Sequence, residues 1–239
     1  MEFRLLTASE IECRILNCSQ KGVVLLLYKD ARVDMNLLDE IYGSGYWQRE
    51  HQIIDGRLYC TISVWNKEIQ QWVKKQDVGT ESVTEKEKGQ ASDAFKRAST
   101  NVGIGRELYT APLMFVGAKD LKTLEEVETN GRKIWRCKDY FTVEEIEYID
   151  RNIVYVKVKN QKNNVEIEFG TPAKGIAEMQ EALASKIDQA KRNVLVAEMK
   201  KKGIAEAKIL ERYGIDSLAD MTFEMWQKAM KGLEATPEV

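Results

Sequence analysis

Residues 58–65 carry the plainest pattern in the chain. Leu58, Cys60, Ile62 and Val64 alternate with Tyr59, Thr61, Ser63 and Trp65, a period of two that sorts the side chains onto opposite faces of a β-strand. Strands are also predicted over 46–54 and 71–79, joined through Asp55-Gly56 and a polar turn at 66–70, so the three form an antiparallel meander. The period then changes. Thr84-Glu85-Lys86-Glu87 has the form of a capping box, and Ala91, Ala94, Phe95, Ala98 and Val102 recur at helical spacing behind it, predicting a long helix with one apolar stripe to lay on the sheet. Gly103 and Gly105 end that helix, and Pro112 turns the chain away.

On the N-terminal side, Ser9 as a cap and Ile11, Ile15 and Leu16 on one side predict a short helix over 9–17, closed by Gly22. Val23 to Tyr28 is a compact strand candidate, and Val33, Leu37, Leu38 and Ile41 predict a helix that stops at Gly43. Residues 118–139 are polar and acidic in their middle. Tyr140 to Phe169 alternates, with a turn at Lys162-Asn163-Asn164, and predicts a hairpin or short meander. From Ala173 the pattern is helical to about Lys202, Gly203 breaks it, and shorter helices follow around 204–213 and 222–231. The fold expected is α+β: a curved antiparallel β-meander packed on a long central helix over residues 1–170, with a C-terminal helical appendage over 171–239.

Composition mostly removes options. With 36 Lys and Arg against 38 Asp and Glu in 239 residues, the net charge of −2 lacks the bulk basicity of many nucleic-acid binders. Any affinity for DNA must come from local arrangement. The only histidine is His51, which excludes His-paired nucleophile triads within one chain and multi-histidine zinc sites. No phosphate loop of the GxxxxGK[ST] type is present, so ATP-driven chemistry is disfavoured. We therefore expect no catalytic residue, metal or cofactor, and no enzyme. Cys13, Cys18, Cys60 and Cys137 lack CxxC spacing and are expected as reduced packing residues in a cytoplasm. No apolar run approaches the roughly 20 residues that span a bilayer, so no membrane partner is expected.

On the long helix, an advance of about 100° per residue puts Lys88, Lys96 and Arg97 off the apolar stripe, with Lys96 and Arg97 facing away from the core. They can grip phosphates or simply form a solvated face. Arg32 stands where a strand gives way to a helix, and the macrodipole disfavours a cation there. Either an external anion or Asp30 or Asp34 is its partner. Tyr46, Trp47, Tyr59, Trp65 and Trp72 can stack on bases or build the sheet. Lys200-Lys201-Lys202 can contact DNA or answer a helix C-terminus. Asp77, Glu81 and Asp93 are the acids that a carboxylate nuclease would draw on. Gly103-Ile104-Gly105 follows a helix and lacks a third glycine, so it is no dinucleotide fingerprint.

Ala31-Arg32-Val33 through Leu37, followed by Gly89 to Tyr109 (GQASDAFKRASTNVGIGRELY), resembles the Rad-fifty-two-type single-strand DNA annealing proteins, most nearly their phage-encoded bacterial branch. The likeness covers roughly Tyr28 to Pro112. It implies a curved antiparallel sheet on a long helix, assembly into a homo-oligomeric ring, and single-stranded DNA held in a basic outer groove. Arg32, Lys96 and Arg97 match the residues that line that groove. A basic residue that eukaryotic relatives carry one turn later is absent, Ser99 and Thr100 standing there; Arg106, Lys86 and Lys88 are candidates to compensate, although Lys86 and Lys88 alternate with Glu85 and Glu87.

The function implied is ATP-independent binding and annealing of single-stranded DNA in homologous recombination or double-strand break repair. The rival is an oligomeric adaptor that binds other proteins through its tail. Ile176, Leu183, Ile187 and Val194 fall near heptad spacing, fitting subunit contact, docking of a host single-strand-binding protein, or an amphipathic helix folded onto its own core.

Overall fold

The computed structural model describes residues 2–80, 86–129 and 131–237, and the chain divides into two compact units, Met1–Pro172 and Ala173–Val239. The protein is α+β. In the first unit β1 (Glu12–Ser19) and β2 (Gly22–Tyr28) form a hairpin, α1 (Ala31–Tyr42) follows, and β3 (Trp47–Ile54), β4 (Arg57–Asn66) and β5 (Gln71–Val78) make a separate three-stranded antiparallel meander. Next come α2 (Lys86–Val102), β6 (Met114–Gly117), and a two-stranded ribbon of β7 (Glu125–Thr129) and β8 (Arg132–Arg136). The strands β9 (Phe141–Ile149), β10 (Asn152–Asn160) and β11 (Val165–Gly170) complete a six-stranded antiparallel sheet of order β11-β10-β9-β1-β2-β6.

The meander and α2 meet through small residues. A Cβ built on Gly79, just past β5, would lie 2.2 Å from the Gln90 carbonyl oxygen and 2.8 Å from the Ala94 nitrogen, so glycine alone permits this approach of helix to sheet. Ala94 and Ala98 are fully buried on the same stripe, against Cys60, Ile62 and Val64 of β4. Phe95, also buried, stacks on Trp47 with ring centres 6.2 Å apart and lies under the Arg49 guanidinium at 4.9 Å. His51 shares a hydrogen bond between Nε2 and the Ala91 carbonyl at 3.1 Å. Trp47 is therefore a packing residue, and Trp65 and Trp72 form a cross-strand pair, ring centres 5.5 Å apart. The expected capping box at 84–87 lies outside the described residues, its two helical side chains included.

The helix expected over 9–17 is a strand. Only Ala8–Glu10 is helical, as a single 3₁₀ turn, and Glu12–Ser19 pairs with β2 from Glu12↔Tyr28 to Ser19↔Gly22, with a bulge between Ile15 and Asn17. Ile11 and Ile15 are four apart, which suits either period, and pairing with the apolar β2 decides it. Leu16, beside the bulge, is 59% exposed.

The acidic stretch within 118–139 contains the β7–β8 ribbon. Its flank is pinned by buried Asp139, which accepts from the Lys122 backbone at 2.7 Å, the Thr123 hydroxyl at 2.6 Å and the Asn160 amide at 2.6 Å. These hydrogen bonds hold the carboxyl below the usual range, although burial works the other way. Residues 140–169 form a meander, β9 to β11.

The second unit holds α3 (Ala173–Ala184), α4 (Gln189–Lys201), α5 (Glu206–Tyr213) and α6 (Phe223–Glu234), with a core of its own that includes Ile187, Leu195, Met199, Met221 and Leu233. The expected helix to Lys202 is broken at 185–188, where Asp188 caps α4 by accepting from the Lys191 nitrogen at 2.8 Å. The heptad series does not run as one seam, because Ile187 lies in the break and is buried while Val194 is 48% exposed. Lys200 and Lys201 occupy the last turn of α4, where the dipole favours cations. No helix of the described residues is long and apolar enough to cross a membrane.

The Gly79 contact predicts that Gly79→Ala destabilises the first unit, because the new methyl meets helix backbone that has no free end to swing away. Overpacking of this kind costs about 1–3 kcal/mol, which denaturant unfolding monitored by tryptophan fluorescence would show as an earlier midpoint with an unchanged slope.

Candidate nucleic-acid interface

With Phe95 and Ala98 turned into the core, Lys96 and Arg97 are carried to the other side of α2, where the helix passes the end of the β1–β2 hairpin. A cleft of about 220 Å³ opens there. Four cations line it, Arg14 from β1, Lys29 just after β2, and Lys96 and Arg97 from α2, against one carboxylate, Asp93. Asp93 is occupied, accepting from both the backbone nitrogen and the hydroxyl of Thr80 at 2.9 Å. Among the lining side chains cations outnumber carboxylates, with Lys29 matched by Asp34 and Arg97 by Asp77 just outside the lining.

The four cations differ in how they are held. Lys96 has no ion pair among the described residues, and its Nζ lies 5.8 Å from the centre of the Tyr28 ring. Arg97 donates from Nε and Nη2 to Asp77 Oδ1, both at 3.3 Å, with the guanidinium side chain 44% exposed. An exposed pair at that distance contributes little and can be exchanged for another anion. Asp77 is further engaged by the Asn101 amide at 3.2 Å. Arg14 lies over the same Tyr28 ring at 5.1 Å. Burial, helped by the Glu12 carboxylate nearby, pushes the Tyr28 phenol up to about 12, so the ring that both cations approach stays neutral.

Lys29 forms the floor. It is almost wholly buried and donates to Asp34 Oδ1 at 2.5 Å. The second Asp34 oxygen is buried with no hydrogen-bond partner among the described residues. Burial lowers the Lys29 pKa and raises that of Asp34 to about 6, the mutual attraction offsetting part of each shift. Gly105 makes room for the lysine stem: its φ is +70°, and a Cβ there would lie 2.4 Å from Lys29 Cε. This accounts for the second glycine of Gly-Ile-Gly-Arg. The first, Gly103, closes α2 at φ +127°, its nitrogen and that of Ile104 both donating to the Ser99 carbonyl at 3.0 Å.

The structure brings together only part of the expected site. Lys96 and Arg97 share the cleft. Arg32 does not line it but stands three residues beyond Lys29, in the first turn of α1, with its side chain 83% exposed and 3.7 Å from Asp30. Asp30 is the N-cap of α1, accepting from the Arg32 nitrogen at 2.7 Å, which relieves the unfavourable placement of the cation. Arg106 faces elsewhere, donating to the Thr100 carbonyl at 2.9 Å and the Asn101 carbonyl at 3.0 Å, and so closes the C-terminus of α2. Ser99 is buried with its hydroxyl on the Phe95 carbonyl, while Thr100 lines the cleft. The side chains of Lys86 and Lys88 lie outside the described residues, as does Glu81. No three or more His, Cys, Asp or Glu side chains among the described residues are grouped so as to hold a metal.

Sequence reasoning missed Arg14 and Lys29. The alternation Ile11, Cys13, Ile15 was the signal for Arg14, since as a strand it sets Glu12 and Arg14 on the face opposite those residues. Nothing in the local pattern separates buried Lys29 from an exposed loop lysine. Compared with protein-family models, curated proteins and solved structures, the chain matches none of them.

The buried pair predicts a marked non-additivity. Lys29→Met strands the Asp34 carboxyl in the core and is expected to cost about 3–5 kcal/mol, whereas adding Asp34→Leu should recover most of the loss. A double-mutant cycle by urea unfolding reads the coupling, and additive losses would show that the two groups act separately.

Proposed function

We propose that this protein binds single-stranded DNA and promotes annealing of complementary strands without ATP, in homologous recombination or double-strand break repair. The observation that carries the proposal is the cleft in which Lys96 and Arg97 meet two further cations with one occupied carboxylate among them. Cations on a fixed scaffold bind phosphates without regard to base identity, because released counterions drive the association. An annealing protein needs that chemistry: strand repulsion falls while the bases stay free to pair, and no bond has to be made or broken. The resemblance of residues 89–109 to annealing proteins supports the same function.

Single clefts hold few phosphates. We propose that copies of the chain assemble side by side, so that Arg32, Lys96 and Arg97 of successive subunits follow one strand. The meander offers a means, since β3 and β5 are its two edges and carry no further strand among the described residues.

Mixing complementary oligonucleotides that carry a dye and a quencher, with no nucleotide present, tests the proposal. The wild-type chain should accelerate quenching, and Lys96→Ala/Arg97→Ala should lose most of the acceleration and lower the slope of log affinity against log salt by roughly one to two. No acceleration by the wild type would reject annealing and favour the adaptor.

A further inference from the structure

The groove residues expected from the sequence all lie on or beside helices, yet the cleft has a second wall. On β1, Arg14 pairs in register with Leu26 and extends from an exposed position toward Tyr28. Its guanidinium makes no hydrogen bond or ion pair among the described residues, in contrast to Arg4, Arg97, Arg106 and Arg151, each of which is held by a carboxylate or a backbone carbonyl. The nearby carboxylate on its face, Glu12, makes no ion pair with it among the described residues and lies close enough to the Tyr28 hydroxyl to help raise its pKa. What holds Arg14 is the face of the Tyr28 ring, a contact that is weak where water has access and leaves the guanidinium donors free.

Lys96 is held in the same way by the same ring. The two charges lie 5.1 and 5.8 Å from one ring centre, so they can be no farther apart than the sum of those distances. That bound is compatible with contacts to neighbouring phosphates of one strand. Tyr109, 76% exposed, lines the same cleft and offers a further ring to a base.

We infer that Arg14 is a phosphate-binding residue of this cleft, acting with Lys96 beside Tyr28 so that a nucleic-acid backbone is gripped from the β1–β2 hairpin as well as from α2. The inference rests on the proposed function and adds a residue to it. The planar fork of an arginine takes a phosphate through two parallel hydrogen bonds, which the point charge of Lys96 does not do. With Arg97 released from Asp77, the strand is bounded by cations on two sides.

Fluorescence anisotropy with labelled oligo-dT and oligo-dA of equal length, across a salt series and with the full chain, tests it. Arg14→Gln is expected to weaken binding about tenfold at low salt, equally on both oligonucleotides, and to lower the salt slope by about one. Arg14→Lys keeps the slope. Both variants should melt with the wild type, since the side chain is exposed and unbonded. Wild-type affinity and slope in Arg14→Gln, alongside losses in Lys96→Gln, would overturn the role of Arg14 and leave the proposed function standing, and so would weaker binding with an unchanged slope. Failure of the wild type to bind either oligonucleotide would overturn both.

Discussion

The approach of α2 to the meander sets the positions of the other groups. It is possible because Gly79 has no side chain and because Ala94 and Ala98 present only methyl groups to β4. Once the helix is that close, its rotation is fixed: Phe95 must fill the space between Trp47 and Arg49, and a residue placed one or two positions later cannot share that face. Lys96 and Arg97 are thus aimed by the packing of their neighbours. Their own interactions are weak, a ring contact for one and a long, half-exposed ion pair for the other. Strong packing on one side of the helix fixes where the two cations stand, while the weak contacts on the other leave both able to exchange partners.

A second constraint fixes the cleft from below. The Lys29–Asp34 pair ties the end of β2 to the first turn of α1, and Gly105 lets the turn after α2 settle on the lysine stem. Two consecutive elements and a turn distant in sequence meet on one buried ion pair. The attraction offsets only part of the desolvation of the two charges, as the downward shift of Lys29 and the upward shift of Asp34 show. What the pair supplies is a single arrangement, because any displacement of β2 relative to α1 strands a charge in the core. The bulk composition hides all of this. A balanced count of charges is compatible with two cations, Arg14 and Lys96, that have no ion pair among the described residues, because the nearby acids are taken up by other groups: Asp30 by the α1 cap, Asp77 by Arg97 and Asp93 by Thr80.

The parts of the fold that were legible in the sequence are those where one period dominates and glycine or a polar turn marks its end. The meander and α2 meet that condition; Leu58 to Trp65 and Ala91 to Val102 each fit one period over two turns or more. Glu12–Ser19 does not, because its apolar residues suit a helix as well as a strand and the bulge after Ile15 breaks the alternation. The β7–β8 ribbon is charged at most positions, Glu125 facing Arg136 and Lys133 pairing diagonally with Glu126, and its apolar residues, Val127, Ile134 and Trp135, are too few to set a period. The break before α4 had a visible cause in Asp188, outweighed by the helical run on either side. The site followed the fold. Lys96 and Arg97 were found because their helix was found, and Arg14 was missed because its strand was read as a helix.

One cleft per chain bears on the mechanism proposed. Two or three phosphate contacts give a weak complex that salt readily dissolves, and a strand so held would leave before a complementary strand arrived. Linking such sites changes the arithmetic, since the second and later contacts are made at an effective concentration set by the spacing of the clefts, and avidity can rise by about 10²–10⁴ without a new kind of contact. Each contact then remains exchangeable while the strand as a whole stays bound. The Arg97–Asp77 pair fits that regime. In the proposed assembly, a carboxylate that takes back the guanidinium whenever a phosphate leaves would lower the cost of releasing the finished duplex at each subunit. Tight, saturated cation–phosphate pairing would hold the strand better but would also resist handing it to its complement.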